Sequence, residues 1–179
     1  MTSENADLLN EQAIGLASNG NFPEAIACFR RAISMERSNY LFWYNLGVTY
    51  RDSGCLAEAK SALECADMLS EGDDEVLESL SLVCYGLGET KKAFEYCQSG
   101  LDLNEDNERL WNNLGVLFFA GGKYEDACEA FEAAVTLDPC YGDALLNLRD
   151  AYGELGNKAG ETECARRLSE LETGETRLA

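Results

Sequence analysis

The feature that most constrains this chain is a period. Shifting the sequence by 34 residues against itself superposes Gly20, Gly54, Gly88, Gly122 and Gly156. The same shift aligns Ala25, Ala59, Ala93 and Ala127, then Phe29, Leu63, Cys97 and Phe131. Upstream of the glycines it aligns Leu46, Leu80, Leu114 and Leu148, and also Leu16, Tyr50, Cys84, Phe118 and Tyr152. Self-similarity at a fixed spacing of this size marks a chain made of copies of one supersecondary unit, each too small to bury its own apolar face. Five blocks follow, about 6–39, 40–73, 74–107, 108–141 and 142–175. They are expected to form a single domain, with residues 1–5 and 176–179 as flexible ends.

Each block reads as two amphipathic helices around a glycine turn. In the fourth, Trp111, Leu114, Gly115 and Phe118 recur at three- and four-residue steps, which is one stripe of a helix. Gly121-Gly122 breaks that helix and supplies the positive φ that a helix C-terminus commonly needs. Tyr124, Ala127, Phe131 and Ala134 form the stripe of the second helix, which Pro139 stops. Gly115 with Ala127, and Gly47 with Ala59, sit where the paired helices are expected to cross closely.

These residues resemble the tetratricopeptide repeat, whose pattern is Trp-x2-Leu-Gly-x2-Tyr, then Ala-x3-Phe, then Pro. The second block carries Trp43, Leu46, Gly47 and Tyr50; the fourth carries Trp111, Leu114, Gly115, Phe118, Ala127, Phe131 and Pro139. The first and third blocks are looser, and the fifth has Arg149 for the glycine and Glu161 for the alanine. The resemblance implies an all-α fold, a right-handed α-solenoid of five helix-turn-helix repeats. The polar helix around Glu161, Glu163, Arg166, Arg167, Glu170 and Glu172 would act as its cap.

Chemistry finds few footholds. Without histidine there is no Ser-His-Asp or Cys-His arrangement. The eight cysteines form no Cys-x2-Cys pair, and Cys84 and Cys97 occupy stripe positions, so they read as small buried hydrophobes. Cys55 and Cys140 lie at turns and are the thiols expected to react. Asp102-x-Asn104-x-Asp106 imitates the start of a calcium loop, but Asn107 stands where glycine is needed and Asn113 where the bidentate glutamate belongs. No nucleotide-binding glycine motif occurs, and no metal or cofactor is expected. A net charge of −19 with 14 Lys and Arg argues against nucleic acid and against anionic membranes. Two readings of that charge stay open: a solvated acidic surface, and electrostatic attraction of a basic partner. The opening Met1-Thr2-Ser3-Glu4-Asn5-Ala6-Asp7 lacks the basic and apolar stretches of a secretory signal, so a cytoplasmic protein is expected.

The resemblance also implies a use. In that family the first helix of each repeat lines a concave groove that receives a peptide or helix of another protein. Carried onto this chain, the groove is lined by Tyr44, Asn45, Val48 and Arg51, by Leu82 and Tyr85, by Arg109, Asn112, Asn113, Val116 and Phe119, and by Asn147. Tyr44, Tyr85 and Phe119 are surplus to the stripe. Asn45, Asn113 and Asn147 recur at one position, either as donors to a bound backbone or as packing between neighbours. The two-carboxylate clamp that co-chaperone members use on heat-shock chaperone tails is absent, since only Asn45 fits it and Glu75 would repel a carboxylate. The expectation is a non-enzymatic protein-interaction scaffold. The alternative is an assembly role through self-association.

Overall fold

The computed structural model describes residues 5–70 and 72–173, and among these there are ten helices and no strand. They are α1 (Ala6–Ser18), α2 (Phe22–Met35), α3 (Tyr40–Asp52), α4 (Leu56–Ser70), α5 (Asp74–Gly86), α6 (Thr90–Leu103), α7 (Glu108–Ala120), α8 (Tyr124–Leu137), α9 (Gly142–Glu154) and α10 (Lys158–Thr173). The odd-numbered helices begin at the first residue of each block. The termini expected to be flexible fall, save for Asn5, outside the described residues. Two compact units result, Met1–Tyr96 and Cys97–Ala179, the division falling within α6.

The turns inside the hairpins are alike. Gly20, Gly54, Gly88, Gly122 and Gly156 hold φ at +77, +80, +75, +71 and +69°, a region that costs other residues a Cβ clash. The N–H of the following residue returns to a carbonyl five residues back, as from Cys55 to Tyr50 at 2.8 Å and from Lys123 to Phe118 at 3.0 Å. That satisfies the last carbonyls of each first helix. Starts are set by side chains. Asn5, Asn39, Asp73 and Asn107, spaced by the repeat, each accept a hydrogen bond from a backbone N–H in the first turn of α1, α3, α5 and α7. The two tryptophans fasten the turns between blocks: Trp43 Nε1–H donates to the Arg37 carbonyl at 2.9 Å, and Trp111 Nε1–H to that of Glu105 at 2.8 Å.

Inside a hairpin, a large side chain of the second helix lies over a small residue of the first. A Cβ on Gly47 would stand 2.6 Å from Leu63 Cγ, and one on Gly115 would stand 2.5 Å from the Phe131 ring. The nearest approach at Gly115 is made by the Phe131 ring, and Ala127, on the same helix as Phe131, is fully buried. The last hairpin reverses sizes: Arg149 takes the small position, Ala165 replaces the bulky one and is exposed, and the tight contact moves to Gly160 under the Tyr152 ring, 2.6 Å from an added Cβ. The unusual residues of the fifth block thus compensate one another.

In the first unit Phe29, Phe42, Leu63, Val76, Leu80 and Val83 are fully buried. In the second, Phe131, Ala134, Ala144, Leu145 and Leu148 form the core, against which Trp111, Phe118 and Tyr152 pack. α10 buries a single residue, Cys164, while Arg166 pairs with Glu163 at 2.6 Å and with Glu170 in solvent. That is the polar outer helix expected of a terminal repeat. No helix among the described residues is long and apolar enough to cross a membrane.

Two substitutions separate these roles. Gly115→Ala pushes a methyl into the Phe131 ring and is expected to cost about 1–3 kcal/mol. Gly15→Ala, in α1 with nothing within 4 Å of its new methyl, is expected to stabilise by about 0.5–1 kcal/mol. Urea midpoints from circular dichroism check both signs.

Candidate functional site

The first helices pack side by side within each unit, and a polar ladder fixes their register. Counting from the start of each block, the fifth residue of one first helix meets the sixth residue of the next. Asn45 Nδ2 donates to Asn10 Oδ1 at 3.0 Å between α3 and α1, and Asn147 Nδ2 donates to Asn112 Oδ1 at 2.9 Å between α9 and α7. Tyr44 of α3 faces Ser79 of α5 at the same step. Burial above all, with Glu75 and Glu78 nearby, raises the Tyr44 pKa, against the lowering by Ser79 and Arg51. Of the recurring asparagines, Asn45 and Asn147 thus bond the neighbouring first helix, and Asn112, the partner of Asn147, is only 7% exposed.

One turn beyond the ladder, the exposed face of the first unit is apolar. Val48 is half-buried, Leu82, Tyr85 and Ile14 are exposed at 39, 38 and 44%, and Leu41, one turn before the ladder, reaches 47%. Arg51 shares that surface and is held by Asp52 at 2.9 Å. Tyr44 packs on the core and Tyr85 does not, so of these two only Tyr85 is surplus to folding.

The second unit presents a more polar face. Arg109 is exposed, with Glu108 at 3.9 Å. Asn113, Val116 and Asn147 are half-buried. Phe119 stacks edge-on against Tyr124 with ring centroids 5.2 Å apart, and like Val116 it packs on the core. The structure therefore gathers the twelve sequence-derived residues on first-helix faces, six in each unit. Reading from sequence missed Asn10 and Ser79 as ladder partners and Ile14 as an exposed aliphatic. The spacing of Ile14, Val48, Leu82 and Val116 by the repeat period was the available signal.

On the opposite side of α3 a cleft of about 560 Å³ opens between α2 and α4, lined by Ile33, Trp43, Leu46, Tyr50 and Cys65. At its rim Arg30 donates to the Tyr50 hydroxyl at 2.6 Å and sits over its ring. A second cleft, about 630 Å³, lies between α9 and α10 and is lined by Leu146, Leu168 and Leu171 together with Arg149.

Burial pushes the Cys84 and Cys164 thiols up, and takes Cys128 up to about 11, which removes thiolate at neutral pH instead of creating it. Burial, together with a 2.5 Å hydrogen bond to Glu132, likewise keeps Tyr152 protonated. Among the described residues no three His, Cys, Asp or Glu side chains are placed to hold a metal ion. Cys55 and Cys140 are the exposed thiols.

Two family models described as the tetratricopeptide repeat match residues 10–67 and 108–139. Among curated proteins, the chain is 26% identical over 152 residues to tetratricopeptide repeat protein 37 of Xenopus laevis, covering 70% of this chain and 10% of that protein. It is 32% identical over 97 residues to the peroxisomal targeting signal receptor of Saccharomyces cerevisiae, covering 54% of this chain and 16% of the receptor. The chain thus spans a small part of the curated relatives it matches. Among solved structures, that of MamA superposes with a TM-score of 0.76 at 21% identity, covering 97% of this chain and 96% of that one.

Two measurements test the site's internal chemistry. A double-mutant cycle on Asn112→Ala and Asn147→Ala is expected to give a coupling of about 1 kcal/mol; additivity would mean the ladder bond contributes nothing. Under native conditions a thiol reagent is expected to react rapidly with Cys55 and Cys140 alone, so that Cys55→Ser/Cys140→Ser abolishes the fast phase.

Proposed function

The chain belongs to the tetratricopeptide repeat family, and we propose that it is a non-enzymatic scaffold that binds a peptide or helix of another protein on the face of its first helices. The observation that carries this reading is the exposed apolar surface of the first unit, where Leu82, Tyr85, Ile14 and Leu41 stand on helices whose own core is already complete. Each of these residues keeps 38–47% of its surface in solvent, and apolar surface left exposed in this way is what an interface uses. The receptor relative is named for recognising a targeting signal, which is a precedent for recognition by a related protein. The net charge of −19 favours solubility and a basic segment as the partner, and the setting that goes with this reading is the cytoplasm.

Self-association is a second reading, supported by the cleft between α9 and α10 with Leu146, Leu168 and Leu171 on its walls. A sedimentation coefficient that rises with concentration would favour it, and a constant one would remove it.

The first reading is tested by affinity capture with the wild-type chain and with Leu82→Ser/Tyr85→Ser. Both positions are exposed, so folding should be unchanged. The expected result is loss of the captured partner at roughly tenfold or greater weakening. Equal recovery by the variant would remove the proposed face.

A further inference from the structure

The two units present first-helix faces of different chemistry, and the difference selects a partner. In the first unit the packing of α1, α3 and α5 sets the ninth residues of these helices side by side, one turn beyond the Asn10–Asn45 bond and the facing pair Tyr44 and Ser79. Those residues are Ile14, Val48 and Leu82, an aliphatic row continued by Tyr85. On the N-terminal side of the row stand carboxylates. Asp7 and Glu11 lie on the same face of α1 as Ile14, at seven and three residues' distance, and both are exposed. Glu75 holds the corresponding place seven residues before Leu82 on α5 and is exposed. Glu78, 8% exposed, lies between them in the ladder position, and both Glu75 and Glu78 act on the Tyr44 hydroxyl. The cation on this side of α3, Arg51, is engaged by Asp52. In the second unit the matching positions carry Arg109 and Asp143, a cation beside a carboxylate, and Asp150 stands where the first unit has its aliphatic row, so that surface is mixed in charge.

We infer that the first-unit face docks a cationic amphipathic segment of another protein, with aliphatic side chains on the Ile14–Val48–Leu82 row and Lys or Arg along the Asp7, Glu11 and Glu75 edge. Charge complementarity selects this occupant. A second copy of this acidic chain would bring like charge to the edge, and an anionic segment would be repelled. Neighbouring helix axes lie about 8–10 Å apart, so crossing three of them requires roughly 12 residues of helix. The inference rests on the proposed function and adds the chemistry of the partner.

The probes are three fluorescein-labelled helical peptides with the same leucine stripe and with Lys, Gln or Glu at every other position. Anisotropy titrations at low and high salt are run on the wild-type chain and on two triple variants of equal net charge. One is Asp7→Asn/Glu11→Gln/Glu75→Gln, on the edge. The other is Glu24→Gln/Glu58→Gln/Glu129→Gln, at exposed positions on second helices. Expected is binding of the Lys peptide that weakens with salt, roughly tenfold weaker for the edge variant and for Ile14→Ser/Leu82→Ser, and little changed for the second-helix control. Equal losses in both triple variants would mean attraction by net charge alone and would overturn the inference. If the Gln or Glu peptide binds as tightly and Ile14→Ser/Leu82→Ser still weakens it, the inference fails while the binding face stands. If no peptide binds, or Ile14→Ser/Leu82→Ser changes nothing, both fail.

Discussion

The fold depends on how closely two helices of a hairpin can approach, and in the second and fourth blocks that is set by the eighth residue. Where it is glycine, as at Gly47 and Gly115, the branched or aromatic side chain of the second helix rests directly on the backbone of the first. Close packing of this kind leaves no room for a methyl group, so the register of the helix pair is fixed by contact rather than by the turn alone. The glycine turn then needs only to reverse the chain, which its positive φ and the paired carbonyl bonds accomplish. The last hairpin keeps the same rule by exchanging partners, with Gly160 beneath Tyr152 and the space opposite Arg149 left to Ala165.

Much of this was legible in the sequence because the forces involved are local. The stripe residues, the breaking glycines and the block boundaries follow from helical periodicity and turn chemistry, and the odd-numbered helices start where the period places them. The capping residues Asn5, Asn39, Asp73 and Asn107 carried the same period and were also there to be read. What could not be read were contacts between blocks. Asn45 bonds Asn10 and Asn147 bonds Asn112 across 35 residues, one more than the repeat, because a fifth position meets a sixth. An alignment that superposes like positions hides that offset. The exchange at Arg149 and Ala165 was visible only as two separate departures from the pattern.

The candidate site was legible as a face but not as a ranking of its members. Helical spacing puts Tyr44, Asn45, Val48, Arg51, Leu82 and Tyr85 on one side of α3 and α5. It does not say that Tyr44 is packed on the core beside Ser79, or that Phe119 is occupied by Tyr124. Burial depends on the neighbouring block, so a residue surplus to its own stripe can still be needed next door. Ile14, Leu41, Leu82 and Tyr85 keep their surface free. The acidic charge that sequence reading left between solubility and attraction gains a location beside them, at Asp7, Glu11 and Glu75.

The central claim is that partners engage the first helices. Hydrogen–deuterium exchange of the chain, alone and bound to a captured partner, reads this helix by helix. The account expects slowed exchange concentrated in α1, α3 and α5, where exposed apolar residues and carboxylates lie together. Protection confined to α2 and α4, beside the Trp43 and Cys65 cleft, would contradict it.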